Sequence, residues 1–141
     1  MYRIEPAYYG FRVTSSGSFT AEEIGHLSRD LLTALKNCDR PFSLVIDSRK
    51  MVPPSPEKLV KFHDLHMAVW ETICQRVAFI LDSPVTKGQV LQMHYSSSPT
   101  CQDRVIDASR YPGWEERAIA WVADGIEPET TAALKPVSRS K

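Results

Sequence analysis

The sequence predicts a single α/β domain, a mixed β-sheet of about four to five strands packed with about four helices. Three observations carry that expectation. Residues 42–46 and 77–81 are short, nearly continuous apolar runs, each followed by Asp-Ser, at Asp47-Ser48 and Asp82-Ser83; such runs suit central strands covered on both faces. Ser-Pro follows each run, at Ser55-Pro56 and Ser83-Pro84, the residue types that serve as helix N-cap and first helical position. Strand-like and helix-like stretches then alternate to the end of the chain.

In chain order, residues 2–15 hold aromatic and β-branched residues broken by Pro6 and Gly10, as in one or two irregular strands near a sheet edge. The turn residues Ser15-Ser16-Gly17-Ser18 end that region. Phe19-Thr20-Ala21-Glu22-Glu23-Ile24 starts a helix: Thr20 and Glu23 have capping-box spacing, and Phe19 can staple onto Ile24. Ile24, Leu27, Leu31, Leu32 and Leu35 form its apolar face. Strand 42–46 delivers Asp47 at its carboxyl end, and a second helix is expected over 56–74, with Leu59, Phe62, Val69, Trp70 and Ile73 facing inward. After strand 77–81 a weaker helix, interrupted by Gly88, buries Val85, Val90, Leu91 and Met93. Residues 95–100 read as a loop and 104–107 as a short strand. A last helix over 112–124 buries Trp114, Ala118, Trp121 and Val122, with Gly125 as its C-terminal cap.

At 141 residues the chain has room for one domain with a hydrophobic core and too little for two ordinary ones. Residues 1–125 are read as that domain and 126–141, polar and aperiodic, as a mobile tail. Apolar residues make up 43% and charged residues 24% of the chain, globular values that argue against a disordered or membrane protein. The 17 basic residues balance 17 acidic ones, which removes the broad field that drives non-specific binding to nucleic acid or anionic membrane while leaving room for a local basic patch. No basic stripe of the kind nucleic-acid binding needs is visible. No window approaches the ~20 apolar residues of a membrane span, and Glu5, Pro6 and Gly10 interrupt any apolar signal core. The expected location is the cytoplasm. Cys38, Cys74 and Cys101 are odd in number, widely separated and without a C-x-x-C pair, so they read as free structural thiols.

His63 and His66 fall inside the apolar arc of the second helix, while Glu57, Lys61, Asp64 and Glu71 lie opposite. Two histidines three apart can share a metal, but no acidic or cysteine partner stands at diagnostic spacing. Packed or interface histidines are therefore expected, with no metal.

Gly17-Ser18-Phe19-Thr20-Ala21-Glu22-Glu23, Leu44-Val45-Ile46-Asp47, Arg76-Val77-Ala78-Phe79-Ile80 and Ala118-Ile119-Ala120-Trp121-Val122 together resemble the SpoIIAA-like branch of the STAS domains, named for sulfate transporters and anti-sigma-factor antagonists. The resemblance spans roughly residues 10–123 and rests on structural motifs, so it speaks to fold more than to function. It implies a cofactor-free domain that binds another protein or a small ligand. Phosphorylatable members carry an Asp-Ser-Ser-Gly-like motif whose serine receives phosphate at the next helix start. Here an ungapped reading from Asp47 places Glu57 at that acceptor position, with Ser55 two residues away. A glutamate carries one charge where phosphate carries ~1.5 to 2.

The candidate site is the loop between the first central strand and its helix. Asp47, Ser48, Arg49 and Lys50 would sit beside the positive end of the second helix, with Ser55, Glu57 and Lys58 in its first turn. Ser83 and Lys87 would join from the next helix, and His63 and His66 are additional candidates. The expected function is a non-catalytic binding or regulatory module that takes a protein partner or a small anionic ligand there; a homodimer stays open. The alternative is a small hydrolase or transferase using Asp47-Ser48 and a helix histidine. G-x-S-x-G, G-x-x-x-x-G-K-[ST] and H-E-x-x-H are all missing from the chain.

Overall fold

The computed structural model describes residues 1–94 and 101–128 of the chain. The expected loop at 95–100, the tail from 129 onward and the side chain of Met93 lie outside the described residues.

Tyr2–Ala7 (β1) and Gly10–Gly17 (β2) form an antiparallel hairpin joined by Tyr8-Tyr9. The β1–β2 ladder is unbroken, while the pairing of β2 on its other side shifts register between Thr14 and Ser16. Ser15, Ser16 and Gly17 belong to β2 rather than to a turn, because Ser15 pairs with Tyr2 and Ser16 and Gly17 pair with Lys50 and Met51. Pro6 is tolerated because β1 is the edge strand, where a missing N–H interrupts no second ladder. Gly10 carries φ 147 and passes so close to the neighbouring strand at Ser43 that a Cβ there would meet the Ser43 carbonyl oxygen at 2.1 Å. This position requires glycine.

Ala21–Lys36 (α1) begins with a complete capping box. Thr20 Oγ1 accepts from the Glu23 N–H at 3.1 Å, and Glu23 Oε1 accepts from the Thr20 N–H at 3.0 Å, as the spacing predicts. Phe42–Met51 (β3), Pro56–Trp70 (α2), Cys74–Leu81 (β4), Pro84–His94 (α3), Gln102–Asp107 (β5) and Trp114–Asp124 (α4) follow. Gly125 ends α4 in the left-handed conformation, φ 71. Several expected boundaries move. β3 runs on to Met51, since β2 continues to pair with it after β4 has stopped at Asp47↔Ile80. α2 stops at Trp70, and Cys74 opens β4 instead of closing a helix. Ile73 and Val85 are exposed rather than buried, one in the turn after α2 and the other in the first turn of α3.

The five strands lie in the order β1-β2-β3-β4-β5, with β2 through β5 parallel. Three successive crossovers therefore step across the sheet in one direction, and with one hand they stack their helices on one face. That face buries Leu27, Leu31 and Leu35 of α1, Leu65 and Val69 of α2 and Val90 of α3 on Leu44, Val77, Phe79 and Val105. α4 returns beneath the opposite face, where Ala118, Trp121 and Val122 cover Val45, Ala78, Ile80 and Ile106. Among the described residues the fold is a single α/β domain with a mixed five-stranded sheet and four helices, as the alternation of elements predicts.

Candidate functional site

Alternation along β3 decides what the candidate residues can reach. Phe42, Leu44 and Ile46 point to the three-helix face and Val45 to the α4 face, so Ser48 falls on the first side and Asp47 and Arg49 on the second. The sheet itself therefore divides Asp47 from Ser48 and from the start of α2.

On the α4 face Asp47 is 3% exposed and tied to two arginines. Its Oδ2 accepts from Arg12 Nη2 and Arg49 Nη2, each at 2.9 Å; its Oδ1 accepts from Arg49 Nε at 2.9 Å and from the Arg49 backbone N–H at 3.2 Å. Burial alone would raise the Asp47 pKa, but the hydrogen bonds and charge of Arg49, with Arg12 behind them, outweigh it and hold the carboxyl below its usual range. The same contacts hold the Arg49 guanidinium above its ordinary value. Arg49 stacks 4.2 Å over the Trp114 ring at the start of α4, and Arg12 reaches Glu115 Oε2 at 3.1 Å. Both guanidiniums are thus fixed before any ligand arrives.

Around them lies an open cleft of about 310 Å³ lined by Arg3, Arg12, Asp47, Arg49 and Lys50, with Thr14, Ser15 and Ser16 of β2 between. The register places Arg3 opposite Thr14 and Thr14 opposite Asp47, so three neighbouring strands build it. α4 packs on β3, β4 and β5, which leaves the cleft at the unroofed end of this face. Four cations line it against one carboxylate. Glu5 and Glu115 pair with Arg3 and Arg12 at the rim, at 3.3 and 3.1 Å, and a positive excess remains.

The other candidates lie elsewhere. Ser55 occupies the N-cap position of α2 but makes no side-chain capping bond; Glu57 is exposed and Lys58 half-buried beside it. Ser83 caps α3, its Oγ accepting from the Thr86 N–H at 3.4 Å. Lys87 pairs with Asp107 at 3.5 Å. Burial would raise the Asp107 pKa, yet the hydrogen bonds of Ser109 and the charge of Lys87 bring it below the usual range. His63 is half-buried. His66 is buried, its Nε2 3.0 Å from Asp103 Oδ2, with its ring against Trp70 and Phe79. A histidine inside the apolar arc is what the helical spacing predicts; its aspartate partner on β5 was not foreseen. Cys74 and Cys101 lie nearby, and their mutual hydrogen bond, added to burial, pushes the Cys74 thiol far up.

Arg3, Arg12 and Glu115 were not singled out from the sequence, and Trp114, expected in the buried face of the last helix, is half-buried with its ring under Arg49. Arg12 stands 35 residues from Asp47 in sequence, and the signal that joins them is the β2–β3 register. Among the described residues no group of three or more His, Cys, Asp or Glu side chains is placed to hold a metal ion, and no helix is long and apolar enough to cross a membrane.

No protein-family model matches the chain, and neither does any curated protein. Among solved structures, the fold is similar to that of an uncharacterized protein from the DUF3478 family with a SpoIIAA-like fold from Shewanella loihica PV-4. The TM-score is 0.61 at 18% sequence identity, over 86% of this chain and 92% of that one. The likeness establishes a SpoIIAA-like fold, in agreement with the resemblance read from the sequence.

Proposed function

We propose that this SpoIIAA-like domain is a binding module that takes an anionic group, a carboxylate or phosphate on a small ligand, in the cleft at Arg3, Arg12, Arg49 and Lys50. One observation carries the reading: Asp47 clamps two guanidiniums side by side at 2.9 Å each. Arg49 spends Nε and Nη2 on Asp47, which leaves Nη1 for an incoming oxygen. An arginine held by a carboxylate and an aromatic ring loses little conformational freedom on binding, and planar guanidinium donors match carboxylate and phosphate oxygens. Asp47 then acts as an internal counter-ion that a ligand need not displace. The reading keeps Asp47, Arg49 and Lys50 of the expected site. It leaves Ser55, Glu57 and Lys58 at the α2 start, and Ser83 and Lys87 with Asp107.

The alternative hydrolase or transferase centre needs Asp47 and Ser48 within reach of a helix histidine. Asp47 is on the opposite side of the sheet from Ser48 and His66, which both line the pocket on the three-helix face, so it can orient neither. Among the described residues no hydrogen bond joins Ser48 to His66, whose Nε2 meets Asp103. The geometry therefore favours binding.

Isothermal titration with pyrophosphate at low salt tests the proposal. The expected result is saturable binding that weakens as salt rises and falls about tenfold or more in Arg49→Gln, the loss of one charge-assisted hydrogen bond worth ~1.5–3 kcal/mol. Equal affinity in wild type and variant would remove Arg49 from the site.

A further inference from the structure

The three-helix face holds a second, chemically opposite space. A partly open cavity of about 80 Å³ lies between the sheet and α1, α2 and α3, walled mainly by apolar side chains such as Leu31, Phe62, Phe79 and Val90. Its α3 wall also carries Thr86 and Gln89. The two are three residues apart on a helix and so share a face. Thr86 is 2% exposed, and its Oγ1 is without a hydrogen-bond partner among the described residues. Gln89 Oε1 is likewise buried and unpartnered, although the other end of the same amide, Nε2, donates to the Pro54 carbonyl at 3.1 Å. That bond fixes the amide orientation, so Oε1 is the acceptor left over. Buried polar groups are almost always satisfied in a folded protein. Gln89 Oε1 can only accept, and Thr86 Oγ1 can accept as well as donate, so the two unpartnered oxygens together on the pocket wall point to a missing partner that brings a donor.

We infer that this cavity is a binding site for a small apolar ligand carrying a single N–H or O–H donor, which Thr86 Oγ1 and Gln89 Oε1 receive. The volume sets the size. A cavity of about 150 Å³ lined by apolar side chains stays dry and admits benzene, so a space about half as large suits a five-membered ring or a short branched chain. The apolar walls favour the ligand body over a cluster of waters, which would leave most of their own hydrogen bonds unmade against Leu31, Phe79 and Val90. Ser48, which sequence reasoning placed beside Asp47, lines this cavity instead. The site is separated from the arginine cleft by the full thickness of the sheet and does not depend on it.

Pyrrole and furan make the test: the rings have nearly the same shape, and only pyrrole carries an N–H. Each is titrated into the full chain to about 10 mM while backbone amide and methyl resonances are followed. Pyrrole is expected to shift Leu31, Thr86, Gln89 and Val90 saturably, furan to bind at least about tenfold more weakly, and Thr86→Val to erase most of that difference. Thr86→Val keeps the side-chain shape and removes an unpartnered hydroxyl, so the variant should fold. Val90→Ile, which adds one methylene to the wall, should weaken pyrrole in an otherwise unchanged spectrum. Equal binding of the two rings would overturn the polar recognition. Resonances in this region unmoved by either ring would show a space filled by water alone and overturn the site itself.

Discussion

Asp47 shows how a residue can be conspicuous in the sequence while its role is not. Its place after an apolar run marks it, yet the partners that define it, Arg12 and Trp114, come from β2 and α4. Arg49 two residues on is the local half of the clamp, because i and i+2 share one face of a strand. Folding lowers the Asp47 pKa, so between the folded value and the unfolded ~3.9 the unfolded chain binds the extra proton. The stabilisation is fully present above ~3.9 and is lost as pH falls through the folded value. In Asp47→Asn that acid-side dependence should flatten. Stability near neutral pH should drop by about 1–3 kcal/mol, below the cost of stripping a fully buried pair, because the Arg12 and Arg49 side chains are 23% and 33% exposed and water relieves them in part. Urea unfolding from pH 3 to 7 checks both. An unchanged acid limb would mean that Asp47 gains nothing from its arginines.

Helices with local start signals were legible. Thr20 and Glu23 build the capping box that their spacing announces, and Gly125 caps α4 where it was placed. Strand ends were less so, because pairing with neighbours decides them: β3 extends past Asp47 along β2, and of residues 15–17, which read as turn, Ser15 pairs with β1 and Ser16 and Gly17 with β3. The β1–β2 hairpin carries no Asn-Gly or Asp-Gly signal. Its two linking residues are tyrosines, and the only non-negative φ at the turn is at Gly10; the irregularity expected of this stretch lies instead in the β2–β3 register, which shifts between Thr14 and Ser16. The turn depends instead on Gly10 lying against β3, where the Ser43 N–H also donates to the Tyr9 carbonyl at 2.8 Å. Gly10→Ala is expected to destabilise by at least ~1–3 kcal/mol from backbone strain, with the Ser43 amide, which donates to the Tyr9 carbonyl, losing hydrogen-exchange protection before those of β4. A variant of wild-type stability would show that the hairpin does not need the close approach.

Across the whole molecule, the sheet works as a partition. Its three-helix face encloses an apolar core with a small cavity and the buried His66–Asp103 pair. Its other face, only partly covered by α4, presents fixed guanidiniums to solvent. The fold class, the number of helices and most of the core could be read from apolar periodicity, since burial repeats along each element. The division of Asp47 from Ser48 and from the α2 start could not, because a shift of one residue in a strand reverses the face that a side chain meets. The expected site was thus one loop in sequence and two surfaces in space. Inorganic phosphate titrated into isotopically labelled protein, with amide resonances followed at low salt, tests the central claim most directly. The result expected is a saturable shift at Arg12, Asp47, Arg49 and Lys50 that disappears in Arg49→Gln. Shifts confined to residues 55–58 at the start of α2, or no shifts at all, would contradict it.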